Sequence, residues 1–267
     1  MKRNAILFLC LLISGCSTFS FVFERLDVLT VWQMNRMFDL TDEQEEQFEP
    51  VAVELREWIR EEGFPRLIID FKEVDRLWND NQLDRAMSHM HDTTKGNIEL
   101  LLQLVWPKVR PTILTFNENN LAHYKEHTKE QRDDWFKSAT SKEAKLESRI
   151  KPLEEWFGDL SDAQVVIVDS WIELAPKERE IRYANNDHWI TMFTQRVLAR
   201  DQDSLDTWSQ EPSMWWTEEF RQWRNVNEVA TKSMLMELFN TLSEQQKRHA
   251  SERLREWIEL MEEVVVS

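Results

Sequence analysis

Residues 242–261 read Leu-Ser-Glu-Gln-Gln-Lys-Arg-His-Ala-Ser-Glu-Arg-Leu-Arg-Glu-Trp-Ile-Glu-Leu-Met. Two signals overlap in this stretch. Ala250, Leu254, Trp257, Ile258 and Met261 recur at the spacing of one helix face, while Glu, Arg and Lys fill the other side. Ser243 stands three residues before Gln246, so its hydroxyl can accept from the Gln246 N–H while the glutamine side chain returns to the Ser243 N–H, with Leu242 as the apolar staple. The stretch therefore predicts a long amphipathic helix that begins at Ser243.

The same box occurs twice more, as Leu40-Thr41-Asp42-Glu43-Gln44 and Leu160-Ser161-Asp162-Ala163-Gln164. Each copy marks a helix start worth about 1 kcal/mol of cap. Pro50 is expected to kink or interrupt the helix that follows the first box. Leu55-Arg56-Glu57-Trp58-Ile59 is echoed by Leu254-Arg255-Glu256-Trp257-Ile258, which fits an internal repeat and fits chance equally well. Helical spacing also joins Phe48, Val51, Leu55, Trp58 and Ile59, and again Trp189, Met192, Phe193 and Val197. Residues 98–106 are apolar nearly all round and predict a buried central helix. Only four glycines occur, too few for hairpins and phosphate loops. The fold expected is all-α: about eight helices in an irregular, elongated bundle with curved or kinked long members. Breaks are expected near Gly63 and Pro65, at 106–111, at 151–158, at Pro176 and at Pro212. The charge-dense segment 128–155 reads as a surface helix with i, i+4 ion pairs, or as a link between two lobes joined near 128–158.

At the N-terminus, Lys2 and Arg3 precede an apolar run over 5–13, the layout of an export signal and too short to span a bilayer. The junction Ile13-Ser14-Gly15-Cys16 resembles the lipobox of bacterial lipoproteins. That resemblance implies removal of residues 1–15, attachment of diacylglycerol to the Cys16 sulfur, and acyl chains such as palmitate as the hold on a membrane. Ser17, in place of Asp, implies delivery to the outer membrane, facing the periplasm. Residues 16–38 would then form a lipid-anchored juxtamembrane helix, and its Phe21, Phe23, Leu26, Leu29, Trp32, Met37 and Phe38 suit either core packing or the bilayer interface. Residues 39–267 form the helical domain. Cleavage would remove two cations and take the formal charge from −16 to −18, which argues against a nucleic-acid partner. Cys10 would leave with the signal and Cys16 would carry lipid, so neither a disulfide nor a reactive thiol is expected.

Motifs that carry chemistry are scarce. The sequence has no nucleophile elbow, P-loop, Cys-x-x-Cys or His-Glu-x-x-His, so no catalytic residue, cofactor or enzymatic activity is assigned. His123 and His127, at i, i+4 with Glu126 and Glu130 nearby, form the best metal candidate, although a zinc centre wants three or four ligands. The 49 acidic residues contain no carboxylate pair that spacing alone singles out. Among the 13 tryptophans, Trp208, Trp215, Trp216 and Trp223 cluster with Phe220, which suits either helix packing or an aromatic binding surface.

The order of lipobox, Leu40-Thr41 box, Trp156-Phe157-Gly158-Asp159-Leu160-Ser161 and Leu242-Ser243 box resembles a family of uncharacterised helical lipoproteins from Gram-negative bacteria, known only as a domain of unknown function. More distantly, the Leu-Thr-x-x-Gln boxes are similar to those of periplasmic stress chaperones of the Spy and CpxP type. Together these readings lead to an expected non-enzymatic envelope lipoprotein that binds other envelope proteins, with chaperone-like behaviour. A periplasmic metal-binding or metal-sensing protein is the alternative, and a cell-wall-modifying enzyme the third.

Overall fold

A computed structural model describes residues 15–137, 141–174 and 177–267, and the side chains from residue 18 onward outside those gaps. Ile13, Ser14 and Pro176 thus lie outside the described residues, as do the side chains of Gly15 and Cys16. The helices in chain order are α1 (Gly15–Phe23), α2 (Leu26–Phe38), α3 (Asp42–Trp58), a π-turn (Ile59–Gly63), α4 (Phe64–Asn79), α5 (Leu83–Ile113) and α6 (Glu118–Lys137). They continue with α7 (Lys142–Phe157), α8 (Asp162–Glu173), α9 (Glu178–Leu198), α10 (Gln202–Gln210), a 3-10 turn (Pro212–Trp215), α11 (Glu218–Asn240) and α12 (Glu244–Val266). The described residues contain no strand.

The fold is all-α, with more rods than the expected eight. Short helices such as α10 escape a search for long periodic stretches. In the other direction, prolines that sequence reading takes for breaks lie inside helices: Pro50 in α3, Pro107 and Pro111 in α5, Pro152 in α7. A proline leaves the carbonyl four residues earlier without its ladder bond. Those carbonyls belong to Glu46, Gln103, Pro107 and Ser148, all solvent-exposed residues where water can replace the lost bond, and the helices continue. At Pro65 the helix widens instead of stopping. The Phe64 N–H reaches back to the Ile59 carbonyl, a π-type bond, and α3, the π-turn and α4 run on as one helix over residues 42–79. Gly158, at φ 70°, does end α7, because only glycine takes that left-handed conformation without strain.

The core has separate regions. One gathers Val31, Phe38, Phe48, Trp106, Phe116, Tyr124, Phe193 and Trp215, from α2, α3, α5, α6, α9 and the 3-10 turn. Another gathers Ile68, Leu77, Ala86, Leu254, Ile258 and Met261, where α4 lies along α12 and the start of α5, and a third sets Phe157, Leu238, Leu242 and Ala250 beside it. Of the stripe read from 242–261, Leu254, Ile258 and Met261 are buried against α4 and Ala250 joins the third region, whereas Trp257 stays 37% exposed beside Phe19 of α1. The 31 residues of α5, about 46 Å at 1.5 Å per residue, reach from Ala86 in the second region to Trp106, Val109 and Ile113 in the first. The helix over 98–106 is not buried throughout, contrary to expectation: Trp106 is buried, whereas Ile98 and Leu101 are exposed. The charge-dense segment is shared between the end of α6 and α7. Among the described residues only Lys129–Asp133 pairs along its own helix, while Arg132, Lys142 and Arg149 reach Asp187, Asp169 and Glu178 on α9, α8 and α9.

Candidate functional site

The capping boxes have a second use. Thr41, Ser161 and Ser243 each accept from the N–H of Gln44, Gln164 and Gln246, and each glutamine Oε1 accepts from the hydroxyl residue's N–H. The glutamine amides also face one another across the fold. Gln164 and Gln246 exchange two Nε2–H···Oε1 bonds of 3.0 Å, and their remaining donors go to the Thr241 and Asp159 carbonyls. Gln44 forms the same reciprocal pair with Asn120, at 3.2 and 3.1 Å, while Asn120 also donates to the Phe38 and Asp39 carbonyls. Asn120 belongs to a fourth box that a search for Leu-Ser/Thr-x-x-Gln overlooks. Asn117 and Asn120 cap each other reciprocally at the start of α6, behind the buried Phe116. The sequence signal was an apolar residue followed by Asn-x-x-Asn. The two clasps are alike in detail: the residue ahead of each second box is an apolar core residue, and Thr115 and Thr241 both turn their hydroxyls back to a carbonyl three residues earlier. These clasps are architectural.

The aromatic cluster divides in two. Trp215, 3% exposed, stacks on Trp208 with ring centroids 5.3 Å apart, and Trp208 meets Trp106 and Trp189 edge-on, so this pair belongs to the core. Trp216, Phe220 and Trp223 form a separate ladder along α11, with neighbouring centroids 5.3 and 5.5 Å apart and Arg224 5.0 Å from the Trp216 ring.

That ladder leads into a cleft of about 980 Å³ between α4, α5, α7, α9, α11 and α12. Its volume is at the upper end of the roughly 300–1,000 Å³ common for ligand sites. Phe220, Trp223 and Leu235 form one wall, faced by Met87, Met90 and Trp156. On α11, Trp223, Asn227 and Thr231 follow at intervals of four, so one helical stripe brings polar atoms to the apolar wall. Trp223 Nε1 and Thr231 Oγ1 are buried and have no hydrogen-bond partner among the described residues. Such groups are costly to leave unmet. Charges gather at the edge: His91 Nε2 lies 3.6 Å from Glu228, Arg182 bonds Glu178 at 3.0 Å, and Arg224, Lys232 and Asp92 complete it. The cleft can therefore hold an apolar body that brings its own hydrogen-bonding groups.

The histidine pair sits elsewhere. The rings of His123 and His127 stack at 6.4 Å on α6, His123 Nε2 lies 3.0 Å from the Arg36 carbonyl, and His127 Nε2 lies 2.9 Å from Gln131 Nε2. Among the described residues no group of three His, Cys, Asp or Glu gathers as a metal site. No helix among the described residues is long and apolar enough to cross a membrane.

Comparison with known proteins adds a family. No curated protein and no solved structure matches the chain. A family model does match, over residues 36–221, a span from the end of α2 into α11 that contains three of the four capping boxes and the Trp216–Phe220 step of the ladder, and the chain accordingly belongs to the family of unknown function DUF6279.

Proposed function

We propose that this chain is a membrane-anchored lipoprotein of a Gram-negative envelope, held on the periplasmic face of the outer membrane through acylated Cys16, and that its body is a non-enzymatic binding module. The cleft receives a neutral, apolar segment of another envelope protein, which gives the module a chaperone-like character. The observation that carries this reading is the pairing of an aromatic wall with the unmet Trp223 Nε1 and Thr231 Oγ1. A polypeptide supplies both needs at once, with apolar side chains for the wall and backbone carbonyls and N–H groups for the orphaned atoms. Phe220 and Trp223 would serve as the rigid anchors that dominate such interfaces. The anchor rests on the lipobox resemblance of residues 13–16.

Photocrosslinking in intact envelopes tests the cleft. Benzoylphenylalanine at Thr231 is expected to give polypeptide adducts that fall when Phe220→Ala is added, whereas the same group at Val229, 68% exposed on α11, should give few. Adducts confined to lipid, or equally frequent at position 229, would refute the reading. Intact-mass analysis of the membrane fraction checks the anchor separately.

A further inference from the structure

Helices α1 and α2 share an outer stripe that none of the other described residues covers. Phe21, Val22, Arg25, Val28, Leu29, Trp32 and Arg36 are exposed, and they follow one another at steps of three or four across the turn at Glu24 and Arg25. The opposite face carries Phe23, Val31 and Phe38 into the body. The stripe is aromatic at a level unusual for a face left to water: Phe21 is 64% exposed and Trp32 55%. Each ring has an arginine four residues on. The Arg25 guanidinium lies 5.7 Å from the Phe21 centroid, and that of Arg36 lies 5.4 Å from the Trp32 centroid.

The charges on these helices are sorted by face. Asp27 turns inward to Arg56 at 3.0 Å, and Glu24 is bound to Arg60. Both acids are thereby spent on holding α1 and α2 to α3 and the π-turn. Arg25 and Arg36 have no carboxylate partner among the described residues, although the chain carries 49 acids against 33 Lys and Arg. An acidic protein that keeps two unpaired cations beside its most exposed rings presents a local surface complementary to anions and to an apolar layer together.

We propose that this stripe lies in the interface of an anionic phospholipid bilayer, with Phe21, Leu29 and Trp32 at the boundary of the acyl chains and Arg25 and Arg36 reaching lipid phosphates. Amphipathic helices with aromatic and basic residues settle at that depth, and arginine stems lie along apolar surface while their heads stay in the polar layer. Cys16 is two turns or less from the stripe, since Phe21 follows it by five residues on the same helix. The inference rests on the lipid-anchor reading for a nearby bilayer and is independent of the cleft. Acylated Cys16 would fix one end of α1 at the membrane, and the stripe would then fix the orientation of the whole body.

The test uses the full chain, purified from membranes and placed in phosphatidylethanolamine–phosphatidylglycerol vesicles. A nitroxide is attached through p-acetylphenylalanine at Leu29, or at Val229 as an equally apolar position far along the chain. Collision with oxygen and with an aqueous nickel chelate gives the depth of each label. The label at 29 is expected about 5–10 Å below the phosphate plane, and that at 229 in water. Phe21→Ser with Trp32→Ser, and separately Arg25→Glu with Arg36→Glu, should return the label at 29 to water with helical content unchanged by circular dichroism. An aqueous label at 29 in the parent chain overturns the proposal, and so does a deep label that both double variants leave in place. Intact mass decides whether acyl groups are present, so failure of the anchor and failure of the stripe are read on different measurements.

Discussion

Replacing Gln164 with alanine removes more than a cap. Its side chain is 2% exposed and makes four hydrogen bonds: it accepts from the Ser161 N–H at 2.9 Å and from Gln246 at 3.0 Å, and it donates to the Thr241 carbonyl at 3.2 Å and to Gln246 at 3.0 Å. At about 0.5–1.5 kcal/mol net for each bond, with water recovering part of the loss at half-exposed Gln246, the substitution should cost about 3 kcal/mol. Gln246→Ala, from a less buried site, should cost about 2 kcal/mol by the same reasoning. The two substitutions break the same reciprocal pair. The double variant should therefore be less destabilised than the sum of the singles by about 1–2 kcal/mol, the share of the two amide bonds lost only once. Urea denaturation of all four proteins, followed by far-UV circular dichroism, measures the cycle. By contrast Ser161→Ala, which removes only the hydroxyl acceptor, should cost about 1 kcal/mol. Additivity within about 0.3 kcal/mol, or a Gln164→Ala cost no larger than that of Ser161→Ala, would refute the claim that the amides clasp the two helices.

Three further outcomes follow from the same geometry. Trp215→Ala should destabilise the protein by about 3–5 kcal/mol, because it empties a position in the aromatic core, whereas Trp223→Ala at the cleft should cost distinctly less; paired thermal melts distinguish them. Gly158→Ala should cost about 1–2 kcal/mol, since φ 70° is strained for any residue with a Cβ, and a denaturant midpoint unchanged from the parent would contradict this. Asp206 feels burial, which raises its pKa, but hydrogen bonds from Trp106 Nε1 and Arg110 at 2.7 Å outweigh it and leave the carboxyl below the ordinary range. A depressed folded value stabilises above the unfolded pKa of about 3.9 and is lost as pH falls through the folded one. The melting temperature gap between the parent and Asp206→Asn should accordingly be open at pH 7 and close as pH drops below about 4.

How far residues 242–261 could be read is instructive. The stripe, the cap and the staple are all local, set by spacing along one helix; Leu254, Ile258 and Met261 face α4, Leu242 and Ala250 face Phe157 and Leu238, and of the stripe only Trp257 is left exposed. The helix count was less legible, because whether a proline breaks a helix depends on whether the carbonyl it frees faces water. Glu46, Gln103, Pro107 and Ser148 are all exposed residues, and no feature of the local sequence states that. At Ile98 and Leu101 the opposite holds: apolar content there does not mean burial, because α5 leaves both exposed where it passes between core regions. Trp215 and Trp223 are similar in sequence context yet end in different places, since the 3-10 turn folds one under α9 and α11 extends the other along the cleft. The cleft itself draws on six helices, and its orphaned indole and hydroxyl become visible only once all six are in place.

The two glutamine clasps join residues 41–44 to 117–120 and 161–164 to 243–246, so each closes within one half of the chain. The cores do not respect that division. From the second half, α9 and the 3-10 turn complete the region around Phe38 and Phe116, while α4 from the first half supplies the surface on which α12 lies. Neither half, expressed alone, would own a complete interior, and a chain cut between Lys137 and Ser141 should hold together as two interlocked fragments that part only on denaturation. Two locks of one design thus coexist with indivisibility at the level of the globule.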